Sequence, residues 1–267
     1  MWRAELALLF RRTRTKALLL VLAVVPVLIA VAVRLSGNGT NPGEGPRFLD
    51  QVTHNGVFAA LVGLTVTLPF FLPLAVAVVA GDAIAGEANL GTLRYLLTRP
   101  YGRTRLLIYK GAAVISFCVI ATCTVALAGM LAGAILFPIG PVATLSGTTL
   151  SLSAGTVRIF GAALVVGGSL LGLAAIGVFI STLTDAPVGA MAATAGVAVL
   201  SGVLDAVPQL HVIHPWLLTH YWLSFGDLLR SPVRWTEIVK NFEVQIAYIA
   251  VFATAAWARF STKDVLA

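Results

Sequence analysis

Charge is what this chain has least of. Asp, Glu, Lys and Arg make up 11% of its 267 residues, against about 25% in ordinary soluble domains. Eleven acids and eighteen bases cannot solvate the surface of a water-soluble domain this size, which excludes a soluble globular enzyme. Cysteine is scarce as well. Cys118 and Cys123 lie in one apolar run, five positions apart and off a common helical face, with no loop cysteine to pair with. No G-x-x-x-x-G-K-[ST] loop exists, because the four lysines follow Thr15, Tyr109, Val239 and Thr262 rather than glycine; ATP is therefore not cradled here in a Walker A loop. The apolar runs also lack the ionisable residues of proton- or sodium-coupled transport and the clustered His, Asp, Glu or nucleophile of an intramembrane enzyme. If the protein moves something, the energy comes from another chain.

What is present is apolar sequence, 58% of all residues, in long uncharged runs. A bilayer span needs about 20 mostly apolar residues, and six runs qualify: 17–33, 56–80, 111–137, 159–181, 186–204 and a weaker one, 244–258. The expected fold is an all-α membrane protein with six transmembrane helices. Pro138, Gly140 and Pro141 end the third run, and the Ser/Thr/Gly-rich stretch 142–157 reads as a surface loop. Residues 205–243 are longer than a turn and carry Pro208, Pro215, Trp216, Trp222, Pro232 and Trp235.

The segments between the runs sort by charge. The N-terminal arm, the loop 81–110, the short turn 182–185 and the C-terminus hold twelve bases and five acids, and the alternate segments hold six of each. All of the +7 net charge thus falls on one face, which the positive-inside rule makes cytoplasmic, so both termini are expected in the cytoplasm. The pI of about 9.9 is accounted for by topology and does not point to nucleic acid.

Two segments on the basic face invite a role. In the N-terminal arm, Trp2, Leu6, Leu9 and Phe10 recur at helical spacing with Arg3, Arg11, Arg12 and Arg14 elsewhere, the pattern of a helix lying in the membrane interface; its bland reading is a topogenic arm. In the loop 81–110, Leu90, Leu93 and Leu97 fall on one helical face and Pro100 with Gly102 ends the helix. A short amphipathic helix of this kind suits a partner's groove, with Glu87 and Arg94 adding polar specificity.

These residues carry a resemblance. The run from Gly81 to Arg103 reads G-[DE]-x3-G-E-x3-G-T-L-x2-L-L-x-R-P-x-x-R and resembles the signature of ABC-2 type permeases, the membrane subunits of ATP-binding cassette exporters. The likeness extends loosely over the chain through length, six spans and the N-terminal arm. It implies that residues 1–16 form the interfacial connecting helix and that 87–98 form the coupling helix that docks on an ATPase. The matching positions are Glu87, Gly91, Thr92, Leu93, Leu96, Leu97, Arg99, Pro100 and Arg103, with Leu90 on the same docking face. It also implies that residues 205–243 hold short re-entrant helices near the outer leaflet. ATP and Mg would then be bound by the partner ATPase and no cofactor by this chain. Six spans are half of the usual pathway, so a second permease subunit, identical or related, is expected in the inner membrane.

The polar points of such a pathway would be Thr65, Thr67, Thr122, Thr124 and Ser169, with Asp205 at a span edge; they are uncharged but for Asp205, which favours an amphipathic or hydrophobic cargo such as a drug, antibiotic or lipid. His211 and His214 stand at i and i+3 with His220 beyond, a spacing open to Zn or Cu. Interfacial histidines are routine, and without a Cys or paired carboxylate no metal site is assigned. The alternative from another class is a non-transporting membrane anchor or scaffold for a cytoplasmic complex.

Overall fold

The computed structural model describes residues 2–36, 49–53, 55–91 and 102–262. Helix α1 (Trp2–Arg11) is joined by a bend at Arg12 to α2 (Thr13–Ser36). A short turn α3 (Leu49–Val52) precedes α4 (Phe58–Thr67) and α5 (Phe71–Asn89). The long α6 (Arg103–Leu136) leads into a two-residue hairpin, β1 (Val142–Ala143) against β2 (Thr149–Leu150). Helices α7 (Leu152–Ser169), α8 (Leu171–Leu183) and α9 (Pro187–Asp205) follow, then 3-10 turns at 208–210, 214–216 and 222–229, and α10 (Thr236–Thr262).

Among the described residues, six helices are long and apolar enough to cross a membrane: Thr13–Leu35, Phe71–Asn89, Arg103–Leu136, Leu152–Leu183, Pro187–Asp205 and Thr236–Thr262. They form two interlocked groups. Helices α2 and α4 pack on α6, while α5, α9 and α10 pack around α8. One continuous apolar core joins the groups, with Leu61, Leu64, Val76, Phe117, Val125, Ile159 and Leu173 fully buried. Outward faces are apolar too: Leu20, Leu28, Ile115, Leu131, Val199 and Ile246 are exposed. Such a belt suits lipid, since a soluble protein rarely exposes apolar surface so widely.

Several boundaries differ from those read in the sequence. The run 56–80 is split into α4 and α5, because Pro69 has no N–H to continue the ladder, whereas Pro73 sits in the first turn of α5, where a missing N–H is tolerated. The run 159–181 is likewise split at Leu170. There the Gly172 N–H donates to the Gln245 side chain of α10 at 3.1 Å. The stretch 142–157 is not a loop throughout: after the hairpin, Ser151 caps α7, accepting from the Ala154 N–H at 3.4 Å. Finally, α5 runs on to Asn89 and α6 begins at Arg103, so helix replaces most of what was read as the connecting segment 81–110. Charged residues at those ends emerge where the side chains can meet water or each other.

Candidate functional site

The Gly81–Arg103 motif begins inside α5. Ser181 of α8 reaches into this helix: its hydroxyl donates to the Gly81 carbonyl at 2.7 Å and accepts from the Ile84 and Ala85 N–H groups at 3.0 and 2.8 Å. A side chain inserted in an i→i−4 ladder opens the turn locally. Gly81 itself lies against the backbone of Ala190 and Met191 in α9, where a Cβ would meet the Met191 nitrogen at 2.7 Å. Gly86 leaves room for the Asp82 carboxylate, and Gly91 takes a left-handed φ of 68° just past the helix end, the usual glycine termination.

On this frame sits a charge cluster that draws on α1, α2, α5 and α6. Arg12, at the α1–α2 bend, donates to Asp82 at 2.7 Å and to Glu87 at 3.2 Å. Arg14 lies 3.2 Å from the other Asp82 oxygen. From α6, Lys110 pairs with Glu87 at 3.0 Å and with Glu5 of α1 at 3.1 Å. The Lys110, Glu87 and Glu5 side chains are only 10%, 13% and 16% exposed, so these ions are held largely out of water and must satisfy one another. At the same end, Arg103 donates to the Ser261 carbonyl at 2.9 Å, and the Trp257 indole donates to Thr104 at 3.1 Å. The last-turn carbonyls of α10 thereby gain a cationic partner. The N-terminal helix, both flanks of the motif and the end of the last helix are tied together here. A recess of about 360 Å³ beside the cluster is lined by Arg12, Arg14, Asp82, Asn89, Leu90 and Pro187.

Of the residues singled out for partner docking, Glu87 is engaged by Arg12 and Lys110 and Arg103 by the end of α10. Leu90 and Gly91 are exposed. Thr92, Leu93, Leu96, Leu97, Arg99 and Pro100 lie outside the described residues, as does most of the segment 87–98 read as a coupling helix.

Among the described residues, the polar points expected of a pathway are spread over α4, α6, α7 and α9. Thr65, Thr67 and Thr122 return their hydroxyls to carbonyls of their own helices, and Thr67, Thr122 and Ser169 are fully buried. Asp205 instead pairs with His220. A cavity of about 420 Å³ does open between α6, α8 and α10, but its walls are Leu107, Ile108, Ala112, Ile115, Leu171 and other apolar residues, with Trp257 and Thr104 at one end. None of the six expected pathway residues lines it.

The sequence reading missed a buried polar site between α7, α8 and α10. Asn241 donates to Ser169 at 2.7 Å, while Gln245 accepts from Gly172 and donates to the Leu218 carbonyl at 3.1 Å; both amides are buried. The signal was their i, i+4 spacing, which sets two amides on one face of a span.

A mostly helical bundle whose described residues include six apolar helices of spanning length defines a multi-pass membrane protein. The chain belongs to the family described as "Protein of unknown function (DUF2705)", which matches residues 27–266. It is also 45% identical over 60 residues to a protein of Pseudomonas aeruginosa named "Probable ABC transporter permease protein NosY". That match covers 22% of this chain and 22% of that protein, so it is a partial likeness to an ABC transporter permease.

Proposed function

We propose that this chain is the membrane permease subunit of an ATP-binding cassette exporter of the ABC-2 type, driven by a separate ATPase that binds ATP and Mg. The observation that carries the reading is the convergence at one end of the bundle. The motif leaves α5 after Asn89 and enters α6 at Arg103, and its flanks are tied by ion pairs and hydrogen bonds to α1, α2 and α10. A push on residues 90–102 would therefore reach several helices at once, as a coupling element requires. The partial permease likeness supports the same reading.

In this reading residues 1–16 form the connecting helix on the cytoplasmic leaflet, 87–98 the docking segment, and both termini are cytoplasmic in the inner membrane. Leu90, Leu93 and Leu97 face the ATPase, and Glu87 acts inside the chain as the link that passes the push to α1 and α6. The transport pathway forms with a second permease subunit, the same or related. Its cargo is amphipathic or hydrophobic, in keeping with the apolar walls of the 420 Å³ cavity and with spans almost devoid of charge.

The docking role is tested by Leu93→Asp in the full chain reconstituted in lipid, titrated with its ATPase. Insertion and thermal stability should stay at wild-type level while ATPase affinity falls at least tenfold, about 1.4 kcal/mol. Unchanged affinity would remove the docking assignment and leave a membrane anchor as the better reading.

A further inference from the structure

At the other end of α9, the structure joins three residues that the sequence keeps apart. Gly81 packs on Met191 near the start of α9, and Asp205 closes the same helix fourteen residues later, about 21 Å along its axis. The chain then folds back through the 3-10 turns, bringing His214 and His220 to that carboxylate. One ligand-type atom from each of Asp205, His214 and His220 lies within 4.8 Å of the others. The carboxylate absent from the histidine spacing in the sequence is therefore Asp205, and His211, exposed to solvent, is not part of the group.

We propose that Asp205, His214 and His220 form a binding site for a divalent first-row cation of the zinc class. Three observations carry this in four steps. First, the His214 Nε2 lies 3.1 Å from the Val207 carbonyl; a carbonyl only accepts, so Nε2 donates its proton and a neutral ring keeps its lone pair on Nδ1. That Nδ1 faces Asp205 Oδ1 at 3.9 Å, beyond hydrogen-bond reach, as two acceptors do when a cation belongs between them. Second, the backbone carbonyl on the far nitrogen is the arrangement that orients metal-binding imidazoles and raises their basicity. Third, the His220 Nδ1 donates to the same Asp205 oxygen at 2.5 Å, a proton that a bound cation would displace, and its ring is held edge-on to Tyr221 with centroids 4.6 Å apart. Fourth, the Asp205, His214 and His220 side chains are 27%, 16% and 32% exposed, so a cation can enter and a water can complete the shell.

Zinc bonds of about 2.0–2.2 Å in a tetrahedron set ligand atoms about 3.3 Å apart. The observed 2.5 and 3.9 Å separations bracket that spacing, and small rotations of the two imidazoles reach it. Two nitrogens and one oxygen with a fourth position open to water suit Zn²⁺ and its neighbours rather than Mg²⁺ or Ca²⁺, which take oxygen shells. Bound there, the ion would pin the end of α9 to the coil that Ser201 already holds through Thr219 at 2.9 Å. The proposal stands apart from the transport reading.

The test uses the full chain in lipid nanodiscs with any affinity tag removed, dialysed against micromolar Zn²⁺ with millimolar Mg²⁺ present, and metal counted by mass spectrometry. One zinc per chain is expected, undisplaced by Mg²⁺, with Co²⁺ in its place giving the intense visible bands of four-coordination. The His214→Gln/His220→Gln double variant should lose affinity by about 100-fold or more, Asp205→Asn should weaken it, and His211→Gln should leave it unchanged. Absence of bound zinc in the wild-type chain overturns the site whatever the variants do. So does zinc that Mg²⁺ displaces or that the double variant retains.

Discussion

Lys110 is the residue on which the charge cluster turns. It is buried in the wall of α6 and answers two carboxylates, Glu5 and Glu87, from two other helices. Lys110→Met keeps the stem and removes the charge, leaving two largely buried carboxylates without that cation, at a cost of about 3 kcal/mol. Arg14 pairs with Asp82 too, but its side chain is 57% exposed, and Arg14→Ala should cost under about 1 kcal/mol. Thermal unfolding in lipid should therefore show a fall of several degrees for Lys110→Met and little change for Arg14→Ala; equal effects would mean that the cluster does not hold the helix ends. The same cluster explains a limit of the sequence reading. Glu87 stands out as part of a docking motif, yet its partners lie 75 and 23 residues away, and no local pattern reveals a pairing across that distance.

Helices meet here where side chains are absent. A Cβ on Gly133 of α6 would lie 1.9 Å from the Gly56 carbonyl oxygen, and one on Gly129, a turn earlier, 2.7 Å from the Ala60 Cα. The two glycines are the small-x-x-x-small contact that lets membrane helices touch backbone to backbone. Gly133→Val should thus separate α4 from α6 and sharply lower the yield of folded protein. Gly196 of α9 has nothing within 4 Å of its would-be Cβ, and Gly196→Ala should raise stability by about 0.5–1 kcal/mol, since helix-interior glycine is costly. Size-exclusion yield and melting midpoint check both; a tolerated Gly133→Val would refute the close packing. Element existence was legible because lipid demands continuous apolar sequence, and the break at Pro69 has its cause in the sequence itself. The break at Leu170 was not legible, because its cause is Gln245, 73 residues beyond Gly172. Nor were the true starts and ends of α5 and α6, where polar ends such as Asp82, Glu87 and Lys110 continue the helix past the apolar run.

For the molecule as a whole, the uneven charge found in the sequence has a spatial counterpart. The N-terminal helix, the motif flanks and the end of α10 share one end of the bundle, and the Asp205 histidine cluster lies at the far end of α9. The positive-inside rule predicts a cytoplasmic position for the first end; on that expectation a fluorescent protein fused after Ala267 should glow, and an exported phosphatase in its place should be inactive. The reverse result would invert the topology. On the proposed function, a soluble ATPase drives this chain through the segment 90–102. The most direct measurement is to co-express the chain with the cassette ATPase encoded beside it, purify through a tag on the ATPase, and follow ATP hydrolysis in lipid. A stable complex, whose hydrolysis differs from that of the ATPase alone and loses that difference with Leu93→Asp, is the predicted result. Failure to form a complex with any cassette ATPase of the same genome would contradict it.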